Sequence, residues 1–277
     1  MLIKILNAQE KHHEVQYVEG WNTCPDYKPT AECGNGLHYT DDVHWPEWAG
    51  YGDHFREVLD AVGTVVIDET KSKAEKLCLG PRRPFTDLLV TEAQQLAAVK
   101  YYGTIIQYIA DPSEEIQLAA VTERSTAIQY IADPSEAAQL AAVTQYGCVI
   151  CYITNPSEEI QLAAVTRSGW AIQYIKDPSE ELKLAAVMNR GWAIKYIKDP
   201  SETLKLAAVT QDGDAIQYIT DPSEEVQLAA VTQYGRALQW IKDPSEEVQL
   251  AAVTQNGPAI QYITDPSEKV QAQARCQ

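Results

Sequence analysis

Polar and apolar positions recur in a fixed order along residues 89–277. A typical copy, Asp177 to Lys198, reads DPSEELKLAAVMNRGWAIKYIK. Its opening residues are polar and turn-forming. The apolar residues Leu182, Leu184, Ala185, Ala186 and Val187 follow, at spacings that include i, i+3 and i+4, the pattern of a helix with a broad buried face. The start carries the signals of a helix N-terminus: Asp177 as the cap, Pro178 at the first helical position, and Glu180 three residues after Asp177 as in a capping box. Glu180 and Glu181 fall in the first turn, where the helix dipole favours negative charge. Gly191 is predicted to end the helix just past its C-terminus. Ala193, Ile194, Tyr196 and Ile197 then fit one face of a second helix of about two turns or less, too short to stand alone, so neighbouring copies must hold it. Its β-branched and aromatic residues would also suit a strand. The helix-start signal directly after it favours a helix.

The repeat is strict. Asp-Pro-Ser-Glu begins at Asp111, Asp133, Asp177, Asp199, Asp221, Asp243 and Asp265, and Asn-Pro-Ser-Glu at Asn155, with every interval 22 residues. A fixed period of this size marks an array in which each unit is one supersecondary element packed on the next. Stepping one period back from Asp111 reaches Leu89, where Thr91-Glu92-Ala93-Gln94 supplies a substitute capping box and Leu96 to Val99 and Gly103 fall in register. The copy beginning at Asp265 keeps only its first helix, with Ala272-Gln273-Ala274-Arg275 in place of L-A-A-V, a polar surface of the kind a terminal repeat needs. The expected fold is mainly α: an α-solenoid of 22-residue helix-turn-helix repeats over 89–277, with eight full repeats and a C-terminal capping half-repeat, preceded by a small α+β domain over 1–88. In that N-terminal part Leu2 to Leu6 and residues 14–18, 36–40, 55–62 and 64–68 read as strands, and 72–79 as a helix or a final strand. The small domain is expected to cover the open end of the array.

The consensus LAAV-T-Q-x-G-x-A-I-Q-Y-I, which runs through 89–277, resembles a short α-helical repeat from a domain-of-unknown-function family of bacterial and viral proteins, and is similar in style to leucine-rich-repeat variants. The resemblance implies a helical solenoid and brings no catalytic residues with it. For function it implies a phage or bacterial inhibitor or adaptor that blocks or recruits another protein.

Charge narrows the partner. The net charge is −17, with 15 acidic and 9 basic residues in 1–88 and 24 acidic and 13 basic in 89–277. Direct binding to nucleic-acid phosphates is disfavoured, and a basic protein surface is the expected partner. Many of these acids serve first as helix-start residues and solubilising charge. No apolar run approaches the roughly 18 residues of a membrane span, and the opening MLIKILNAQEKHH lacks the apolar stretch of a signal peptide. The six cysteines, Cys24, Cys33, Cys78, Cys148, Cys151 and Cys276, form no evenly spaced disulfide framework. The expected location is a reducing cytoplasm, and no cofactor is expected.

Two sets of residues in 1–88 carry sharper chemistry. Cys24, Cys33, His38 and His44 are zinc-type ligands, but the eight residues between the cysteines match no standard module, and a buried cysteine with loop histidines is the simpler reading. The segment Cys33-Gly34-Asn35-Gly36-Leu37-His38-Tyr39 resembles the glycine-to-strand segment of ADP-ribosyltransferase-like folds. It implies an alternative function, a nucleotide-handling N-terminal enzyme domain that the array targets. Only 32 residues precede this segment, too few for the usual nicotinamide pocket, and no catalytic Glu motif follows. No GxGxxG, P-loop, HExxH or GxSxG occurs.

In an array this regular, the positions that vary are the informative ones. The 14th and 16th positions of each copy flank the turn glycine, and there the chain carries Tyr102, Arg124, Tyr146, Trp170, Arg190, Trp192, Asp212, Asp214, Tyr234 and Arg236. Unconstrained turns drift toward small polar residues, whereas Tyr, Trp and Arg are the residue types of interface hot spots. These ten are the candidate protein-binding strip along one edge. The tyrosine repeated at the 20th position, from Tyr108 to Tyr262 with Trp240 in one copy, is expected to pack in the core.

Overall fold

The computed structural model describes residues 1–6, 9, 11–12, 15–24, 37–41, 45 and 54–276. The chain divides into two compact units, Met1–Ala138 and Gln139–Gln277.

The first unit opens with β1 (Leu2–Leu6), β2 (Lys11–His12), β3 (Val15–Gln16), β4 (Gly20–Thr23), β5 (Leu37–Asp41), β6 (His54–Val62), β7 (Val65–Val66), β8 (Ser72–Ala74) and β9 (Lys76–Pro84). Seven of them form one antiparallel sheet in the order β4-β9-β6-β1-β5-β8-β7, and β2 and β3 pair separately. The expected strands at 2–6, 14–18, 36–40, 55–62 and 64–68 all contain strand residues. The segment 72–79 resolves into two strands, β8 and the start of β9, and not a helix. The short β4, absent from the sequence reading, pairs with β9, and Asn22 braces the turn before it: its side chain accepts from the Val18 N–H and donates to the Val18 and Gly20 carbonyls, each at 2.9 Å.

β1 lies inside the sheet, and its residues 3–6 are all buried. Side chains alternate between faces along a strand. Lys4 therefore shares its face with Leu6, in the core cluster that includes Tyr17, Leu37, Leu77 and Leu79. Its ammonium sits 4.8 Å from the centre of the Tyr17 ring. Burial, with a smaller push from Lys71, lowers its pKa from 10.5 to about 7. Directly after β9, Phe85 packs on Trp45 at 4.9 Å and edge-on to Tyr108 at 6.5 Å. The second contact joins the sheet to the first helical repeat.

Nine α-helices occur among the described residues: α1 (Glu92–Tyr101), α2 (Glu114–Glu123), α3 (Glu136–Gln145), α4 (Glu158–Arg167), α5 (Glu180–Asn189), α6 (Glu202–Gln211), α7 (Glu224–Gln233), α8 (Glu246–Gln255) and α9 (Glu268–Arg275). α1 packs on α2, and α4 to α8 each pack on the next, ending at α9. The sequence-derived early repeat is present: Thr91 caps α1, accepting from the Gln94 N–H at 3.3 Å while Gln94 Oε1 accepts from the Thr91 N–H at 3.0 Å.

Three local assignments change. First, the helix cap is the serine of Asp-Pro-Ser-Glu and not the aspartate. Ser179 Oγ accepts from the Leu182 N–H at 3.3 Å, and Ser157, Ser201, Ser223, Ser245 and Ser267 act alike. Asp177 instead has φ 49°, and Asp111, Asn155, Asp199, Asp221, Asp243 and Asp265 have φ between 46° and 54°. Asp and Asn tolerate this left-handed region better than other residues with a side chain, so Asn replaces Asp at 155 without changing the turn.

Second, the short helix is a 3₁₀ helix, Gly191–Tyr196 in the copy at Asp177. Third, Gly191 is not a left-handed C-terminal cap, since the described glycines with positive φ are Gly20 and Gly63. It opens the 3₁₀ segment because a neighbour comes too close for a side chain. A Cβ there would lie 2.4 Å from the Ala208 carbonyl oxygen of the next repeat, and Gly103, Gly147, Gly169, Gly213 and Gly235 meet the equivalent alanine carbonyl at 2.3–2.6 Å. The Gly191 N–H donates across the same junction to Gln211 Oε1 at 2.5 Å, as Gly169 does to Asn189 Oδ1 at 2.7 Å.

The buried stripe is narrower than the sequence pattern suggests. Leu182, Ala186 and Val187 of α5 are buried with Gly191, Ala193, Ile194 and Ile197, while Leu184 is 39% exposed.

Two predictions follow from these junctions and from Lys4. Gly191→Ala forces the two repeats apart and lowers stability by about 1–3 kcal/mol, read by urea unfolding followed at 222 nm. For Lys4, the unfolded side chain binds its proton below about 10.5 while the folded one stays neutral down to about 7. The unfolded state therefore holds the extra proton between these values, so this lysine costs stability increasingly as pH falls from about 10 to about 7, and by a constant amount below. Lys4→Met should stabilise the protein, with an advantage over wild type that grows about tenfold in the unfolding constant per pH unit across that window and vanishes toward pH 10.5. An advantage that does not vary with pH would refute the assignment.

Candidate protein-binding surface

In the unit Met1–Ala138, two members of the predicted strip, Tyr102 and Arg124, are exposed, and the Arg124 guanidinium lies 3.9 Å from Glu123. The other eight belong to the unit Gln139–Gln277. Each lies immediately before the turn glycine or immediately after it, so α-helix and 3₁₀ segment together set its direction.

Tyr146 is 54% exposed. Cys148 beside it, hydrogen-bonded to it, raises the pKa of its phenol above the usual value. Cys148 Sγ also lies 3.6 Å from Ser168 Oγ of the next repeat. Burial, and then the nearby Cys148, raise the thiol of Cys151. Trp170 is half-buried, and its ring meets Tyr196 of the following repeat edge-on at 5.8 Å. Arg190 lies over Trp170 at 5.4 Å. Trp192 repeats the arrangement on Tyr218 at 5.6 Å, and its indole N–H is buried without a hydrogen-bond partner.

Asp212 and Asp214 serve the array as well as its edge. Asp212 Oδ1 accepts from the Asp214 N–H at 3.0 Å. Asp214, only 9% exposed, forms an ion pair through Oδ2 with Arg236 of the next repeat. Its Oδ1 is buried and unpartnered. Arg236 also lies over the Tyr234 ring at 5.6 Å. Tyr234, Gly235, Arg236, Gln255 and Asn256 line an open cleft of about 430 Å³. The structure thus brings Trp170 with Arg190, and Tyr234 and Arg236 with Asp212 and Asp214, in two clusters on consecutive repeats.

The largest departure from the sequence reading lies one step away. The tyrosines at the 20th position do not pack in the core. Tyr108 and Tyr130 of the first unit are exposed, and in the second unit Tyr152, Tyr174, Tyr196, Trp240 and Tyr262 are exposed and Tyr218 half-buried. The core beneath them is filled by the isoleucine two positions earlier and the isoleucine that follows, such as Ile194 and Ile197 around Tyr196. With three residues per turn, the 20th position points outward when the 18th and 21st point in. A 3₁₀ period applied to A-I-K-Y-I, in place of an α period, would have found it. Lys195 lies on this row, its ammonium 5.1, 4.7 and 5.7 Å from the Trp170, Tyr196 and Tyr218 rings. The row and the turn-edge strip are therefore continuous.

The metal-type candidates separate. Cys24 is a buried free thiol in the sheet core, and His38 lies on β5 opposite Lys73. Cys33 and His44 lie outside the described residues, as do residues 33–36 of the glycine segment, while Leu37 and Tyr39 are buried core residues of β5. Among the described residues no three His, Cys, Asp or Glu side chains converge as metal ligands, and no helix is long and apolar enough to cross a membrane. No protein-family model matches the sequence, and no curated protein and no solved structure matches it.

Arg236→Ala strands a buried carboxylate at Asp214. The arginine is mostly solvated, so the loss is about 1 kcal/mol. Asp214→Asn in the same chain should restore most of it, a coupling that a double-mutant cycle by urea unfolding would read.

Proposed function

We propose that this chain is a non-enzymatic binding scaffold: an acidic helical solenoid whose turn edge and adjoining aromatic row hold another protein, blocking or recruiting it. The supporting observation is the set of exposed Tyr146, Arg190, Tyr234 and Arg236 with half-buried Trp170, spread over four copies of one unit. Aromatic and arginine side chains of this kind bury large area at small entropic cost and dominate interface energetics. The repeat core beneath is small, regular and aliphatic, so exposed positions such as Tyr146 and Tyr234 can vary without disturbing it. The bacterial and viral repeat family that the sequence resembles fits an inhibitor or adaptor role.

Tyr146 and Tyr234 suit the test, because both are exposed and neither supports a neighbouring ring. The double variant Tyr146→Ala, Tyr234→Ala should lose partner capture from a lysate of the source cell, scored by mass spectrometry against wild type, with circular dichroism unchanged. Capture of the same proteins at the same level by the double variant would remove the turn edge from consideration.

A further inference from the structure

The binding reading leaves open the chemistry of the occupant. In Gln139–Gln277 the row Tyr152, Tyr174, Tyr196, Tyr218, Trp240, Tyr262 places one ring per repeat, each on the 3₁₀ segment of its own copy. Between two of these rings the protein seats a cation of its own: the Lys195 ammonium lies 4.7 Å from Tyr196 and 5.7 Å from Tyr218, with Trp170 closing a third side at 5.1 Å. Ring faces attract ammonium and guanidinium groups at such distances. At the other copies of this unit the residue equivalent to Lys195 is Cys151, Gln173, Gln217, Gln239 or Gln261. The side chains of Gln173 and Gln217 turn back to the backbone carbonyls of Trp170 and Asp214, at 2.9 Å each. They bring no charge to the rings.

Carboxylates accompany the row. Three residues beyond the ring in most copies stands an exposed carboxylate, Asp177 after Tyr174, Asp199 after Tyr196, Asp221 after Tyr218, Asp243 after Trp240 and Asp265 after Tyr262. Lys176, Lys198 and Lys242 intervene in three of these copies, whereas the copies of Tyr218 and Tyr262 carry Thr220 and Thr264. Packed helices stand about 8–10 Å apart, and three residues of an extended chain span about 10 Å.

We propose that this aromatic row takes the lysine and arginine side chains of an extended polypeptide segment, one cation between successive rings, with basic residues spaced about three apart. Lys195 occupies one such slot in the free protein and would be displaced or bypassed on binding. The proposal rests on the scaffold reading and specifies its partner.

The test uses the full chain and fluorescently labelled peptides at low salt, followed by anisotropy. A (Lys-Gly-Gly)₅ peptide should bind about tenfold or more tightly than a peptide of the same composition with its lysines contiguous, and (Glu-Gly-Gly)₅ should not bind. Tyr174→Leu keeps an apolar side chain at an exposed position but removes the ring face, and should weaken binding about two- to fivefold. Lys195→Gln empties the filled slot and should strengthen it by a similar factor. Circular dichroism confirms that both variants are folded. Equal affinity for the spaced and contiguous peptides, or no change in Tyr174→Leu, overturns the proposal and leaves only diffuse attraction to acidic residues. If the peptides fail while the Tyr146, Tyr234 variant still loses partner capture, the occupant chemistry is wrong and the scaffold stands. If that variant also captures normally, the scaffold reading falls with it.

Discussion

The repeat depends on one close approach, that of a glycine to the carbonyl of an alanine in the next helix. At Gly191 a methyl group would stand 2.4 Å from the Ala208 oxygen, well inside contact distance. The small residues let backbone meet backbone, and the polar groups at the junction are then satisfied across it, with the glycine N–H bonded to Asn189, Gln211 or Gln255 of the following copy. Asn189 also donates to the Thr166 carbonyl at 2.9 Å, so one side-chain amide closes both halves of the seam. A buried backbone N–H left unpaired would be costly, which links the choice of Asn or Gln on the helix to the glycine one repeat earlier.

Around this junction each copy divides its work. Apolar residues of modest size fill the interior. A serine cap and first-turn glutamates start the helix, and Ser267 Oγ donates to Glu246 of the preceding copy at 2.6 Å. The left-handed Asp or Asn reverses the chain between the 3₁₀ segment and the next helix. None of these positions can change freely. Variation is pushed to the flanks of the glycine, while the outward side of the 3₁₀ segment repeats one ring per copy. The regularity of the core thus makes a variable surface possible. Some of that surface still serves the array: the Asp214–Arg236 pair and the Trp192–Tyr218 stack link neighbouring repeats as well as facing solvent.

The N-terminal sheet follows a different logic. β1 has both faces covered, and a lysine occupies one of its buried positions. Its chain passes through the same core as Leu6 and Tyr17, and its charge is disfavoured there. The strand at Leu2 to Leu6 reads clearly from sequence because it is an apolar run. β4 does not, because it is held by its pairing with β9 and by side-chain hydrogen bonds from Asn22 to its own turn, which hydrophobic pattern does not register.

The period, the helix positions and the early repeat at Leu89 were legible in the sequence alone, because helix caps and apolar spacing are local signals that recur 22 residues apart. The substitution of Asn for Asp at 155 was a readable sign of a left-handed residue, since those two side chains share that tolerance. What the sequence could not decide is which signal each residue serves. Gly191 fits a helix cap equally well until the Ala208 carbonyl of another repeat is seen beside it. Tyr196 is apolar enough for a core until the tighter 3₁₀ turn carries it outward. Both outcomes come from atoms distant in the chain or from a helical pitch that depends on packing, and only the tertiary structure brings those into play.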